Sequence, residues 1–359
     1  MGLWTWRTWQ TVYVGLVGWV GGGAGGGVTV LAQAVPEAVE VAAEQTYAAK
    51  ETVLLMGSRF DFGAYAKTQD AAEEAVARGI AEVERIEALI SSWQPDSQTS
   101  AINDADEPVA VDRELLELIR RAQRVSELTD GAFDLTAGGL VGLYRFGGQD
   151  TVLPSQLELD MSVAFVDYRD IEVDVAASTV WLRRPGLRIG FGGIGKGYAA
   201  NRALAAMRAV DGVTGAVANA SGDMATWGTN ARGEGFEIGI ADPRAPGKVI
   251  GTLRLTDAAV VTSGDYERYF TAGGVRYAHI VDPRTGLPTT GLTSATVVCP
   301  DAELADALAT SLFVLGVADG LALINSLANV EALLIDAEGR LHRSAGLNLR
   351  TGLDVDPGQ

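Results

Sequence analysis

Gly190-Phe191-Gly192-Gly193-Ile194-Gly195-Lys196-Gly197 is the stretch on which the fold turns. It opens a helix that the apolar pattern carries to Val210. Read as Gly190-x-Gly192-x-x-Gly195, with Asp211 about twenty residues on, it is a dinucleotide fingerprint of a βαβ unit. Asp211, however, stands at a helix end before a strand, not at the end of a second strand. Read as Gly190-x-x-x-x-Gly195-Lys196, it is a nucleotide phosphate loop until its last position, where Gly197 replaces the Ser or Thr that would hold Mg²⁺. What both patterns share survives: backbone N–H groups at a helix N-terminus form an anion cradle, and Lys196 neutralises a phosphate. A third reading has the glycines there only for close packing of helix on sheet.

The flanking sequence favours a different architecture from the parallel sheet of dinucleotide folds. Strands are expected at 52–55 and 60–68 around a Met56-Gly57-Ser58 turn, then at 180–189, 215–218, 236–240, 249–255, 258–261, 276–281, 294–298, 332–336 and 341–343. Most are joined by short turns, which makes antiparallel pairing the economical arrangement. Helices are expected at 70–91, from the N-cap Asp112 to a close at Gly131, and from Asp301 to Leu315, with a short one from Asp319. Residues 151–170 read as an irregular surface excursion. Grouped rather than strictly alternating elements give an α+β fold with largely antiparallel sheets and packed helices.

Composition sets the outer bounds. The chain has 359 residues, 47% hydrophobic and 21% charged, with net charge −18, which argues against a nucleic-acid partner. Residues 1–34 carry one charge, Arg7, and an apolar run from Val12 loosened by glycines. They end in Ala32-Gln33-Ala34, the small-residue pattern of a cleaved secretion signal, without an arginine pair ahead of the apolar run. The expectation is export to the periplasm or another extracytoplasmic space, with 35–359 as one unit; the alternative is an uncleaved membrane anchor. Cys299 is the only cysteine, so no internal disulfide can form.

Chemistry concentrates in Tyr277-Ala278-His279-Ile280-Val281-Asp282-Pro283-Arg284-Thr285-Gly286. His279 is a general-base candidate by type, since imidazole titrates near neutrality, with a core histidine satisfied by a backbone carbonyl as the alternative. Asp282 is the reserve base, with an ordinary turn-forming aspartate as the alternative. Asp306 and Thr310 lie four apart, on one side of a helix whose neighbours Leu304, Ala305, Leu308, Ala309 and Leu312 are apolar. Carboxylate and hydroxyl are hard ligands suited to Mg²⁺, with a solvated helix face as the alternative; a buried aspartate there needs a partner.

Eight motifs in order complete the pattern: Met56-Gly57-Ser58, Trp93-x-Pro95-x-Ser97, Gly131-Ala132-Phe133-Asp134, Gly192 to Tyr198, Asn219-x-x-Gly222-Asp223, Thr262 to Tyr266, His279 to Gly286, and Ala305 to Thr310. Together they resemble the FAD:protein FMN transferases, the ApbE-like family. The resemblance implies that Met56, Trp93, Ala132, Phe133, Asp134, Lys196 and Ile280 contact FAD, and that the Gly193 carbonyl, Asp306 and Thr310 hold Mg²⁺. It implies attack by a Thr or Ser hydroxyl of an acceptor protein on the FMN phosphorus, with AMP leaving. The implied acceptors are membrane-anchored redox subunits with exported FMN domains. FAD hydrolysis to FMN and AMP, or flavin binding without catalysis, are the rival activities. Three positions depart from the family: Gly190 and Asn201 stand where aspartate is common, and Ser221 replaces a glycine.

Overall fold

The computed structural model describes residues 45–146, 153–245 and 247–351. The expected secretion signal lies outside the described residues. β1 (Tyr47–Leu55) and β2 (Ser58–Ala66) form a hairpin. Met56 and Gly57 close it with φ of 52° and 67°, as a two-residue primed turn requires. α1 (Gln69–Ile90) is capped by Thr68, whose hydroxyl accepts from the Ala71 amide. α2 (Gln98–Asp104), β3 (Val109–Ala110), α3 (Arg113–Leu128), α4 (Gly138–Val141), α5 (Gln156–Val163), β4 (Ile171–Asp174) and β5 (Thr179–Leu182) follow. Then come α6 (Gly195–Arg208), β6 (Val213–Ala220), β7 (Asp223–Gly228), β8 (Phe236–Ala241), β9 (Val249–Leu255) and β10 (Ala258–Gly264). A short hairpin of β11 (Tyr269–Ala272) and β12 (Val275–Ala278) leads to β13 (Leu292–Cys299), α7 (Ala302–Ser326), β14 (Glu331–Asp336), β15 (Leu341–Arg343) and β16 (Arg350–Thr351).

The main sheet has eight strands in the order β1-β2-β6-β7-β10-β13-β14-β15, and every neighbouring pair is antiparallel. Its two faces are told apart by period-two alternation. Along β6, Ala216, Ala218 and Ala220 join the core shared with α1, α6 and α7. Val217 points the other way, into a cluster with Phe236, Ile238 and Ile240 of β8 and Leu253 of β9. The result is three layers: helices, the eight-stranded sheet, and a small β16-β9-β8 sheet. Alanines on the helix-facing side let the helices approach closely. Gly79 in α1 continues that logic, because a Cβ there would stand 2.9 Å from Met207 Sδ of α6.

α7 is long and apolar enough to cross a membrane. It is instead the core helix over β10, β13 and β14, with Leu308 and Leu312 wholly buried. Its cap is the expected Asp301, which accepts from the Leu304 amide. Gly316, at φ 73° and ψ −170°, breaks it where the sequence pattern separates the helix ending at Leu315 from the one at Asp319.

Several local expectations need correction. Residues 153–170 are not irregular: α5 is held by a capping box in which Ser155 and Glu158 satisfy each other's backbone amides. Asp112 stands at the N-cap of α3 without a capping hydrogen bond, since its carboxylate accepts from Gln98 Nε2 at 2.6 Å. The strand expected at 276–281 ends at Ala278, which leaves His279 outside the ladder. β4, β7 and β11 escape a sequence reading because each is short or glycine-flanked.

Candidate active site

The glycine loop resolves into two kinds of glycine. A Cβ on Gly197 would stand 2.1 Å from the Ala302 carbonyl oxygen, so the first turn of α6 lies directly on the first turn of α7. A Cβ on Gly195 would meet Ile90 Cδ1 at 3.0 Å. These two serve close packing. Gly192 is different, because nothing lies within 4 Å of its Cβ position. Gly193 sits between: its Cβ position is 3.1 Å from Thr310 Oγ1 and 3.3 Å from Phe133 Cε2. The loop therefore brings Gly193, Thr310 and Phe133 together. The Gly197 amide donates to Asp306 Oδ2 at 3.0 Å, which adds the fourth residue.

Lys196 is the electrostatic hub. Its Nζ lies 2.5 Å from Asp223 Oδ2, and Asp223 is 1% exposed. Burial works against the ammonium charge, but Asp223, Asp306 and Glu267 outweigh it and hold the proton on Lys196 well above its ordinary range. Asp306 is 2% exposed. Burial, with the charge of Asp223 added, raises its carboxyl far above the usual carboxylate range, while Lys196 and the Gly197 amide oppose the shift. Glu267 stands on an exposed segment, within electrostatic reach of Lys196 and Asp223.

His279 is placed by that same segment. Gly264 leaves room for the folded-back Tyr266 ring, which a Cβ would strike at 2.3 Å. The chain then turns so that the Arg268 carbonyl accepts from the His279 amide at 3.0 Å. The imidazole is half-buried, edge-on to Phe146 at 6.4 Å, and its Nδ1 is buried with no partner. Desolvation first, then the Lys196 charge, lowers its pKa to about 4. It is therefore a neutral proton acceptor at pH 7 with a free nitrogen, and an unpaired buried polar atom of this kind asks for a ligand. Asp282 is otherwise occupied: Oδ1 accepts from the Arg284 amide at 2.9 Å and Oδ2 from its guanidinium at 3.0 Å. Its geometry is that of a turn residue.

The remaining candidates divide. Met56 reaches the loop, with Cε 3.6 Å from the Gly195 Cβ position, and its amide donates to Glu87 Oε2. Ala132, Phe133 and Ile280 are buried, and of the three Phe133 reaches the loop, with Cε2 3.3 Å from the Gly193 Cβ position. Asp134 caps the turn after it, accepting from the Thr136 and Tyr168 amides, so its carboxylate is engaged locally. Trp93 is 93% exposed, an indole face open to stacking. Asp223 and Glu267 receive no role from the sequence. Asp223 sits in the Asn219-x-x-Gly222-Asp223 motif, and the need of a loop lysine for a buried partner is the signal that points to it.

Among the described residues no three His, Cys, Asp or Glu side chains converge as a closed metal cage. Two hard-oxygen side chains stand against the glycine loop instead: Asp306 Oδ2 accepts from the Gly197 amide, and Thr310 Oγ1 lies 3.1 Å from the Gly193 Cβ position. An open set of hard oxygens suits an ion that keeps waters and phosphate oxygens in its shell.

Comparison with known proteins places the chain in a family. The ApbE family model matches residues 56–334. An FAD:protein FMN transferase of Klebsiella pneumoniae (strain 342) is 33% identical over 304 residues, covering 83% of this chain and 92% of its own. The crystal structure of the ApbE protein of Thermotoga maritima superposes with a TM-score of 0.75 at 33% identity, covering 83% of this chain and 97% of that one. The flavin transferase ApbE of Vibrio cholerae gives 0.73 at 26% identity, covering 84% and 98%. By its motifs, its antiparallel three-layer fold and these matches, the chain belongs to the ApbE family.

Proposed function

We propose that this chain is a flavin transferase that moves the FMN half of FAD onto a Thr or Ser hydroxyl of an acceptor protein and releases AMP. The observation that carries the reading is the convergence of Gly193, Thr310, Asp306 and the Lys196 ammonium on one glycine loop, in a chain whose curated relatives are FAD:protein FMN transferases. Met56, Phe133, Ile280 and the open Trp93 face hold the flavin end. The loop amides and Lys196 face the pyrophosphate, where phosphoryl transfer depends on positioning and charge neutralisation. Asp306, Thr310 and the Gly193 carbonyl would hold Mg²⁺, which neutralises charge on the pyrophosphate.

The neutral His279 imidazole takes the proton of the acceptor hydroxyl as that oxygen bonds to the FMN phosphorus. The P–O bond to AMP breaks, AMP leaves as the anion, and His279 passes its proton to solvent. Support for export comes from the apolar N-terminal run and Ala32-x-Ala34, and the matching acceptor is an exported FMN domain of a membrane-anchored redox subunit. N-terminal sequencing of the exported protein should start near Val35; an intact Met1 contradicts a cleaved signal. The test of the activity is AMP release from FAD with and without Mg²⁺. Mg²⁺-dependent AMP is expected, and bound FAD that yields no AMP would reduce the protein to a flavin binder.

A further inference from the structure

Lys196 has a long side chain and three carboxylates within electrostatic reach, yet it is drawn to one of them. Asp223 is the most firmly placed of the three. It begins β7 and pairs with Ala220 on one side and Val261 of β10 on the other, at the centre of the eight-stranded sheet. The preceding turn is rigid: Ser221 and Gly222 have φ of 53° and 108°, and Asn219 Oδ1 accepts from the Gly222 amide at 2.9 Å. Glu267 stands on an exposed segment, and Asp306 already accepts from Gly197. An ammonium released from Asp223 would move to Asp306, the carboxylate of the metal-ligand set, and compete there with the cation.

We infer that Asp223 is a positioning residue for the transfer reaction: it holds the Lys196 ammonium in one place and keeps it off Asp306. The inference rests on the transferase reading. A flexible lysine stem loses rotamer entropy when it is held in one place, and a buried, charge-assisted partner offsets that loss before substrate arrives.

The experiment compares wild type, Asp223→Asn, Lys196→Gln and the double variant. FAD, Mg²⁺ and an exported FMN-domain acceptor are supplied; AMP release gives kcat and KM, and the Mg²⁺-induced rise in melting temperature is read without acceptor. Asp223→Asn should lower kcat roughly 10- to 100-fold, the range for one charge-assisted hydrogen bond, with KM for FAD within about threefold. Its melting rise should need on the order of tenfold more Mg²⁺, because the freed ammonium competes with the cation at Asp306; that factor corresponds to about 1.4 kcal/mol. A purely structural role would leave that Mg²⁺ midpoint unmoved. In the Lys196→Gln background, adding Asp223→Asn should change kcat less than about threefold, because coupled residues are not additive. That comparison decides even if Asp223→Asn alone does not fold, since the double variant buries no unpaired charge. Wild-type kcat and Mg²⁺ midpoint in Asp223→Asn, or a further tenfold loss on top of Lys196→Gln, would overturn the inference. Wild type that binds FAD but neither releases AMP nor flavinylates the acceptor refutes the transferase reading itself.

Discussion

The Gly197 amide donates to Asp306 Oδ2 across 3.0 Å, and in doing so fixes the first turn of α6 against the second turn of α7. One hydrogen bond thus aligns the phosphate-facing loop with the carboxylate proposed to hold the metal. It also explains why the position that would be Ser or Thr in a nucleotide phosphate loop is glycine. Backbone, not a flexible side-chain tip, occupies the space a Cβ would need.

Gly197→Ser should therefore destabilise the fold by about 1–3 kcal/mol, the usual cost of overpacking. Urea unfolding at unchanged m-value is the measurement. An unmoved midpoint would mean that α6 and α7 can separate freely at this contact.

Asp306→Asn should abolish Mg²⁺-dependent AMP release while preserving the fold. The sign of its pH effect follows from the raised carboxyl. A folded-state pKa above the unfolded value gives stability that is present at acid pH and lost as pH rises through the folded value. Metal-free wild type should lose stability from the ordinary carboxylate range up through neutrality, and the variant should lose less. Melting curves in chelator across pH decide this; parallel curves for the two proteins contradict it.

Much of this is readable in the chain. The strands at β6 and β13, the Asp301 cap and the helix break after Leu315 all follow from local chemistry, and they stand where the pattern places them. The convergence of Gly193 with Thr310, 117 residues on, is set by packing of α6 on α7 and has no local signature. Asn201 shows the same limit. It stands where the family often carries aspartate, and here it ties α6 to the start of α7. Its Nδ2 donates to Asp301 at 2.7 Å and its Oδ1 accepts from the Ala302 amide. An aspartate there would face Asp301 without a proton to share. The α5 capping box is visible as Ser155-x-x-Glu158, but the strict polar–apolar alternation from Gln156 to Val163 has the period of a strand and hides the helix.

His279→Ala should bind FAD normally and lose about 10²–10⁴-fold in transfer rate, the contribution of a positioned base. With its pKa lowered to about 4, the rising limb of the wild-type rate lies near pH 4, well below the ordinary imidazole range, and the variant lacks it. The same depression makes wild type lose stability as pH falls from about 6.5 toward 4, where the unfolded chain protonates first. A rate limb near pH 6.5, or unimpaired transfer in the variant, would remove His279 from the base role.

Gly190→Asp should tighten FAD binding by up to about tenfold, the worth of one hydrogen bond. The site has room, because the nearest atom to a Cβ there is Ser92 Oγ at 3.8 Å, and the backbone is outside the left-handed region. Fluorescence quenching of FAD measures it. Unchanged or weaker binding would show that aspartate finds no flavin group within reach.

The central claim is transfer to protein, and covalent flavin on the acceptor tests it most directly. The protein is incubated with FAD, Mg²⁺ and an exported FMN-domain protein, then denatured and run on a gel under ultraviolet light. The expected result is a fluorescent acceptor band that survives denaturation, in step with AMP release, and absent when the acceptor hydroxyl is removed by Thr→Ala. Free FMN and AMP with a dark acceptor band would contradict it and make the chain an FAD pyrophosphatase.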